Sequence, residues 1–255
     1  MEADSAKGKV IRWSQPEIVL YDDDPIIRMS YPDLIEDGGK YFVTETQKDV
    51  ARVHELDGCL LKGLWNQAGA ASVSSKGLVL DTAAKGVVSG PKLPEFVRRS
   101  SRFDHGTEIT RSGFSLDLWL RLEAAAVGQV LVDNRTAEGV GFVLRMIAGG
   151  AVEIALNDGR AESRWSSSPG TLATGKVQHV AAIVDGGPSI ISFVIDGKFD
   201  DGGDARQFGW GRFHPHLKSA NGAAEWKVGP GVARLRVYDR SLRVSEAISS
   251  FRAGL

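Results

Sequence analysis

Residues 113–122, Gly-Phe-Ser-Leu-Asp-Leu-Trp-Leu-Arg-Leu, decide the fold. Phe114, Leu116, Leu118, Leu120 and Leu122 recur at every second position, with Ser115, Asp117, Trp119 and Arg121 between them. A period of two places the first set on one face of a strand and the second set on the other. The same rhythm returns downstream in Lys176–Gly187, in Ile191–Lys198 and in Ala233–Ile248.

Further alternating stretches lie between and around these: 128–133, 141–146, 151–156, 161–166, 178–184, 190–195 and 225–229, with a first strand expected over 77–82. Turn chemistry separates them at Ala148-Gly149-Gly150, Asn157-Asp158-Gly159, Asp185-Gly186-Gly187 and Asp196-Gly197. Many short strands with turns every eight to twelve residues describe an antiparallel sandwich. Trp226 and Val228 are expected to point inward. Trp119 falls out of phase with the leucines and His179 sits in an apolar run; core packing is the reading for both. Residues 241–251 read as a short helix with Ser245 capping its second turn and Gly254 as its stop.

These pieces resemble the laminin-G-like, concanavalin A-like jelly-roll domains. The matching motifs are Phe114 five residues before Trp119, His179-Val180-Ala181, Ile195-Asp196-Gly197, and the closing Arg234-Leu235-Arg236-Val237-Tyr238-Asp239-Arg240-Ser241-Leu242 followed by Glu246 and Ile248. The chain departs from the family pattern at Val177, Ala233 and Ala247. The resemblance covers residues 74–255 and implies an all-β, concanavalin A-like jelly-roll sandwich. Function on such a scaffold resides in the loops.

The front of the chain reads differently. Residues 17–21 suit a short strand, and Asp22–Pro25 a turn. Ser30–Glu36 and Lys40–Thr46 are two strands joined by Asp37-Gly38-Gly39, a strong hairpin signal. Residues 50–56 supply another strand, giving an antiparallel sheet of the size of one propeller blade. An isolated sheet of this kind is marginal in water, so either the jelly roll or missing sequence must cover it. The segment 30–45 resembles the last-blade motif of sialidases. The resemblance implies Tyr31 as a catalytic nucleophile and Glu45 as the holder of an arginine. Such a tyrosine is a known exception to the two-carboxylate rule of glycoside hydrolysis. Trp13-Ser14-Gln15-Pro16 matches a phrase common on propeller strands. The arginine triad and acid/base aspartate are not recognisable, so the chain alone is expected to lack sialidase activity. The plain alternative makes Tyr31 and Glu45 ordinary hairpin residues.

The expected organisation is an incomplete blade over 1–57, a linker over 58–73 and the jelly roll over 74–255. In the linker, Leu60, Leu61, Leu64 and Trp65 suit one helical turn or a hydrophobic plug, and Cys59 a small buried residue. Residues 86–104 read as irregular, with Arg98, Arg99 and Arg102 as a solvated face or a carboxylate partner. Residues 199–224 form the least regular loop and the candidate ligand surface. Trp210, His214, His216 and Asn221 combine an aromatic face with polar partners, the pattern that binds sugars. Asp200, Asp201 and Asp204 carry oxygens of the kind that ligate calcium, but their spacing matches no EF-hand, and a flexible acidic turn is the other reading. Two histidines without a third ligand do not define a metal site.

The chain has 255 residues, 42% apolar and 25% charged, with 31 basic against 32 acidic side chains. No basic stretch interleaved with aromatics appears, which argues against nucleic acid as a partner. The single Cys59 excludes an internal disulfide. No apolar run spans a bilayer, and the N-terminus lacks the apolar core of a signal peptide, so any export signal of a secreted or periplasmic parent would lie elsewhere. The expected function is a carbohydrate-binding or bracing accessory module from the C-terminal part of a sialidase-like glycoside hydrolase. Its partners would be carbohydrate and the missing catalytic propeller. The alternatives are a chain that supplies Tyr31 and Glu45 to an active site completed elsewhere, and a structural interaction module without ligand.

Overall fold

The computed structural model describes residues 2–5, 8–11, 13–21, 30–46, 50–97, 112–124, 126–204 and 206–255, with backbone alone at 2–5 and 10. The expected turn at Asp22–Pro25 and the cluster Arg98, Arg99 and Arg102 lie outside these residues.

Strands β1 (Glu2–Ser5) and β2 (Gly8–Ile11) form a hairpin that the sequence pattern did not announce. Residues 13–21 then run without regular structure, so the strand expected over 17–21 is absent. This segment's polar groups are drawn to the rest of the chain instead. Strands β3 (Ser30–Asp37), β4 (Lys40–Thr46) and β5 (Ala51–Leu56) form a three-stranded antiparallel sheet in the order β3-β4-β5. Asp37 pairs with Lys40 across Gly38 and Gly39, whose φ values of 56° and 79° are those of the two-residue turn that matches strand twist.

Helix α1 (Gly58–Asn66) occupies the first part of 58–73 and is longer than the single helical turn expected there. Asp57 caps it by accepting from the Cys59 N–H at 2.8 Å. Leu60 and Leu61 are buried with Leu56 against Tyr41, Val43 and Val19, a small core separate from that of the sandwich. Cys59 lies on the helix's solvent side and is exposed, which corrects the buried reading.

The remaining chain builds two facing antiparallel sheets. In order come β6 (Leu78–Thr82), β7 (Gly86–Ser89), β8 (Gly113–Arg121), β9 (Val130–Asp133), β10 (Gly141–Ile147), β11 (Ala151–Asn157), β12 (Glu162–Ser166), β13 (Val177–Asp185), β14 (Ile190–Ile195), β15 (Lys198–Phe199), β16 (Gly211–Arg212), β17 (Glu225–Val228) and β18 (Val232–Tyr238). One sheet runs β12-β11-β10-β9-β17-β7; the other runs β15-β14-β13-β8-β18-β6, with β16 also on β14. Non-sequential neighbours such as β8 beside β18 are the crossovers of a jelly roll, and the described residues form an all-β sandwich with two short helices. Strand β7, in the stretch read as irregular, pairs with β17.

Phe114, Leu116, Leu118 and Leu120 face Leu131, Phe142, Leu144, Met146, Ile154 and Trp226 across the interior. Val228 joins them, as expected. The opposite face of β8 and β13 is dry as well. Helix α2 (Val244–Ala253) lies over it, packing Ala247 and Ile248 on Ala181, Ile183, Val194 and Tyr238. Gly254 ends α2 at φ 84°. Trp119 and His179 lie beneath the helix against its Phe251, with Trp119–His179 ring centres 5.1 Å apart. Both rings therefore serve packing.

Candidate functional site

Segment 13–21 ties the front of the chain to the jelly roll. Glu17 accepts from the N–H groups of Val244 at 3.0 Å and Ser245 at 2.8 Å and from the Ser245 hydroxyl at 2.7 Å. A carboxylate at the positive end of α2 satisfies donors that no helical carbonyl can reach. Ser245 is therefore a residue capped by Glu17, not the cap itself. Gln15 and Gln67 clasp one another: the Gln15 N–H donates to Gln67 Oε1 at 2.7 Å, and Gln67 Nε2 donates back to the Gln15 carbonyl at 3.0 Å. The Phe199 N–H donates to Gln15 Oε1 at 3.0 Å. Asp57 pairs with Arg243. Burial works against the charge of Asp57, but the Cys59 N–H and the Arg243 guanidinium outweigh it and hold the carboxyl below its ordinary value of 3.8.

Two concavities flank this seam. The first has a volume of about 210 Å³ and is lined by Ile18, Leu60, Ile183, Phe199 and Trp210, with Asp185, Ser192 and Arg243 as polar groups. It lies between segment 16–21 and the outward face of β13 and β14. Phe208 stacks on Trp210 at 5.0 Å between ring centres. The second is wider, about 650 Å³, and lies between Ile11, residues 13–15, the end of α1 and α2.

The four sugar-contact candidates of the 199–224 loop do not converge. Trp210 lines the 210 Å³ cavity. Asn221 is a tie within the fold: its Oδ1 accepts from the Leu93 N–H at 2.8 Å and its Nδ2 donates to the Leu93 carbonyl at 2.8 Å. His214 and His216 are exposed with ring centres 5.2 Å apart, and the His216 N–H donates to His214 Nδ1. They follow Phe213, which is buried in the main core. The acidic trio is dispersed too. Asp200 is buried and accepts from the Ser168 N–H, the Ser168 hydroxyl and Arg206 at 2.8, 2.6 and 3.1 Å. Asp201 accepts from the Gly203 N–H at 2.9 Å, and Asp204 is exposed. Among the described residues no three His, Cys, Asp or Glu side chains are grouped to hold a metal ion.

Tyr31 and Glu45 sit on the three-stranded sheet. Tyr31 occupies the β-bulge between Ser30 and Asp33, 85% exposed and at φ 52°. Glu45 is buried, 3.0 Å from Arg52 Nη1 and 3.5 Å from His54 Nε2. The outer face of this sheet leaves Ile35 and Val53 exposed. Tyr238, beneath α2, has its phenol pushed well up by burial and by the nearby Asp117 charge. Among the described residues no helix is long and apolar enough to cross a membrane.

The family model described as the concanavalin A-like lectin/glucanases superfamily matches residues 100–247. The chain belongs to this superfamily. Its closing motif places β18 beside β8, and its His-Val-Ala strand is β13 on the other side of β8. No curated protein sequence matches the chain. Among solved structures, similarity extends to the carbohydrate-binding module of a Ruminococcus gnavus sialidase bound to α2,3-sialyllactose. That match has 15% identity, covers 68% of this chain and 98% of the other, and has a TM-score of 0.46. A leech intramolecular trans-sialidase is similar at 14% identity, over 71% of this chain and 29% of the other, with a TM-score of 0.41. The botulinum neurotoxin serotype D binding domain is similar at 10% identity, over 93% and 52%, with a TM-score of 0.45.

Sequence reasoning reached Trp210 and the Tyr31 hairpin but not the seam. Its one signal was the Trp13-Ser14-Gln15-Pro16-Glu17 phrase. The partners of that phrase, Gln67, Phe199 and Ser245, lie 52 to 228 residues away, and no local pattern announces them.

Proposed function

We propose that the chain is a carbohydrate-binding accessory module from the C-terminal part of a sialidase-like glycoside hydrolase and has no catalytic activity by itself. In this reading residues 1–57 are a blade-like sheet, 58–73 the junction and 74–255 the jelly roll. The observation that carries it is Trp210, with stacked Phe208, on the wall of a cavity that also holds Asp185, Ser192 and Arg243. An aromatic face beside a carboxylate, a hydroxyl and a guanidinium suits the alternating C–H and O–H surfaces of a sugar ring. Membership of a superfamily of lectins and glucanases agrees with this.

Calorimetry with sialylated and neutral oligosaccharides tests the reading. The chain should bind a subset of them, and Trp210→Ala should weaken that binding by about tenfold, the order expected for one lost stacking contact. Absence of heat with every glycan would leave the module as a brace for its parent enzyme or a structural module without ligand.

A second reading is favoured by the backbone of Tyr31. A non-glycine residue at φ 52° on an exposed bulge holds strain that folded structures tolerate chiefly where geometry serves a purpose. With Glu45 holding Arg52 below it, Tyr31 would serve an active site completed by missing sequence or another chain. Tyr31→Phe in the complete assembly should then abolish turnover while leaving its melting temperature unchanged. Undiminished turnover removes this reading.

A further inference from the structure

We infer that the cleft between Ile11, residues 13–15, the end of α1 and α2 is a second glycan subsite that selects a sugar bearing a carboxylate. This rests on the carbohydrate-binding reading, but on a different surface from the Trp210 cavity.

The cleft presents two large aromatic faces to solvent. Trp13 is 85% exposed and Trp65 51% exposed, and both line it. Isolated apolar side chains on a surface need no explanation, whereas two indoles in one concavity mark a binding surface. Its volume of about 650 Å³ falls within the range of small-molecule sites. Its base is rigid. The reciprocal Gln15–Gln67 bonds join residues 13–15 to the end of α1, and the Phe199 N–H pins Gln15 to the β15 hairpin. Trp65 is braced edge-on by Tyr41, with ring centres 5.4 Å apart and planes at 76°. An indole held as Trp65 is loses little freedom when a ring stacks on it.

Charge defines the ligand. Arg252, in the last turn of α2, is the only ionisable side chain among the described residues lining the cleft. Among the described residues no lining carboxylate offsets it there. A guanidinium fork beside two indole faces matches a pyranose with a carboxylate substituent better than a neutral one. Ser14 adds a hydroxyl on the rim. The Trp210 cavity differs in carrying Asp185 and Glu17 along with Arg243.

The test compares α2,3-sialyllactose with lactose, which share a disaccharide and differ by one carboxylated sugar, on the whole chain. Trp65→Ala should lower affinity for sialyllactose at least tenfold. Trp210→Ala should retain a binding event for it. Arg252→Gln, at an exposed position, should bring the two ligands to equal affinity while lactose binding is kept. Trp65→Phe, which preserves an aromatic face, should recover most of the loss and guards against a folding artefact. Wild-type sialyllactose binding in both Trp65→Ala and Arg252→Gln overturns the inference while leaving the carbohydrate reading intact. An unchanged chain that binds neither these sugars nor any other glycan removes both.

Discussion

Asp117→Ala should cost the fold about 3–5 kcal/mol, the range for stripping one partner from a buried ion pair, and lower Tm by roughly 10 °C. Asp117 lies on the outward face of β8 yet is almost fully buried, because α2 covers it. Its Oδ1 is 3.4 Å from Arg236 Nη1 and its Oδ2 is 3.1 Å from His179 Nε2. Arg236 and His179 are themselves buried. Alanine would leave a guanidinium beneath a helix with only the Ser250 hydroxyl at 3.2 Å and the edge of Asp81 at 3.6 Å. The desolvation cost of the surviving charge, more than the lost attraction, sets the size of the effect. Replacing the pair together, as Asp117→Leu with Arg236→Met, should recover much of the loss. Chemical denaturation of the three proteins decides the matter. If Asp117→Ala lies within about 1 kcal/mol of the parent, the cluster does not hold α2 to the sheet.

The second large effect concerns the seam. Glu17→Ala should destabilise the docking of α2 by about 2 kcal/mol, the upper end for a charged group at a helix terminus in a partly buried setting. Two backbone N–H groups and one hydroxyl lose their acceptor together. Amide exchange reads this locally: Val244 and Ser245 should lose protection by about thirtyfold, while β8 amides change little. Glu17→Gln, which keeps one oxygen, should fall between. Space at this contact is tight, since a Cβ added to Gly63 of α1 would stand 2.6 Å from the Ser245 Oγ. Unchanged protection at Val244 and Ser245 would mean that the apolar contacts of α2 suffice to hold its first turn.

The alternating leucines of β8 were enough to predict a two-faced strand, and their burial against Phe142, Leu144 and Trp226 follows from that rhythm. The hairpin at Gly38-Gly39 was equally legible, because a two-residue turn needing positive φ twice admits few sequences. The helix over Gly58–Asn66 was read short. Its glycines at 58 and 63 depress helix propensity, and its stability comes from packing Leu60 and Leu61 on a sheet and Gly63 on Ser245. Segment 17–21 was read as a strand because Ile-Val-Leu-Tyr suits one. Its first residue, Glu17, is instead recruited by α2, and Val19 packs against the small front core. Asn221 and Asp200 looked like ligand groups by residue type; their hydrogen bonds run to Leu93, Ser168 and Arg206 within the fold.

The amino-acid order alone determined the all-β class, the leucine face that becomes the core and the turns that divide the strands, because strand period and turn conformation are set by neighbours a few residues apart. Only the tertiary structure decided which polar residues are internal ties and which line a cavity. It also decided that Trp13 and Trp65, 52 positions apart in the sequence, share one cleft with Arg252. Those choices depend on what packs on a face, and the partners of segment 13–17 lie 52 to 228 residues further along the chain.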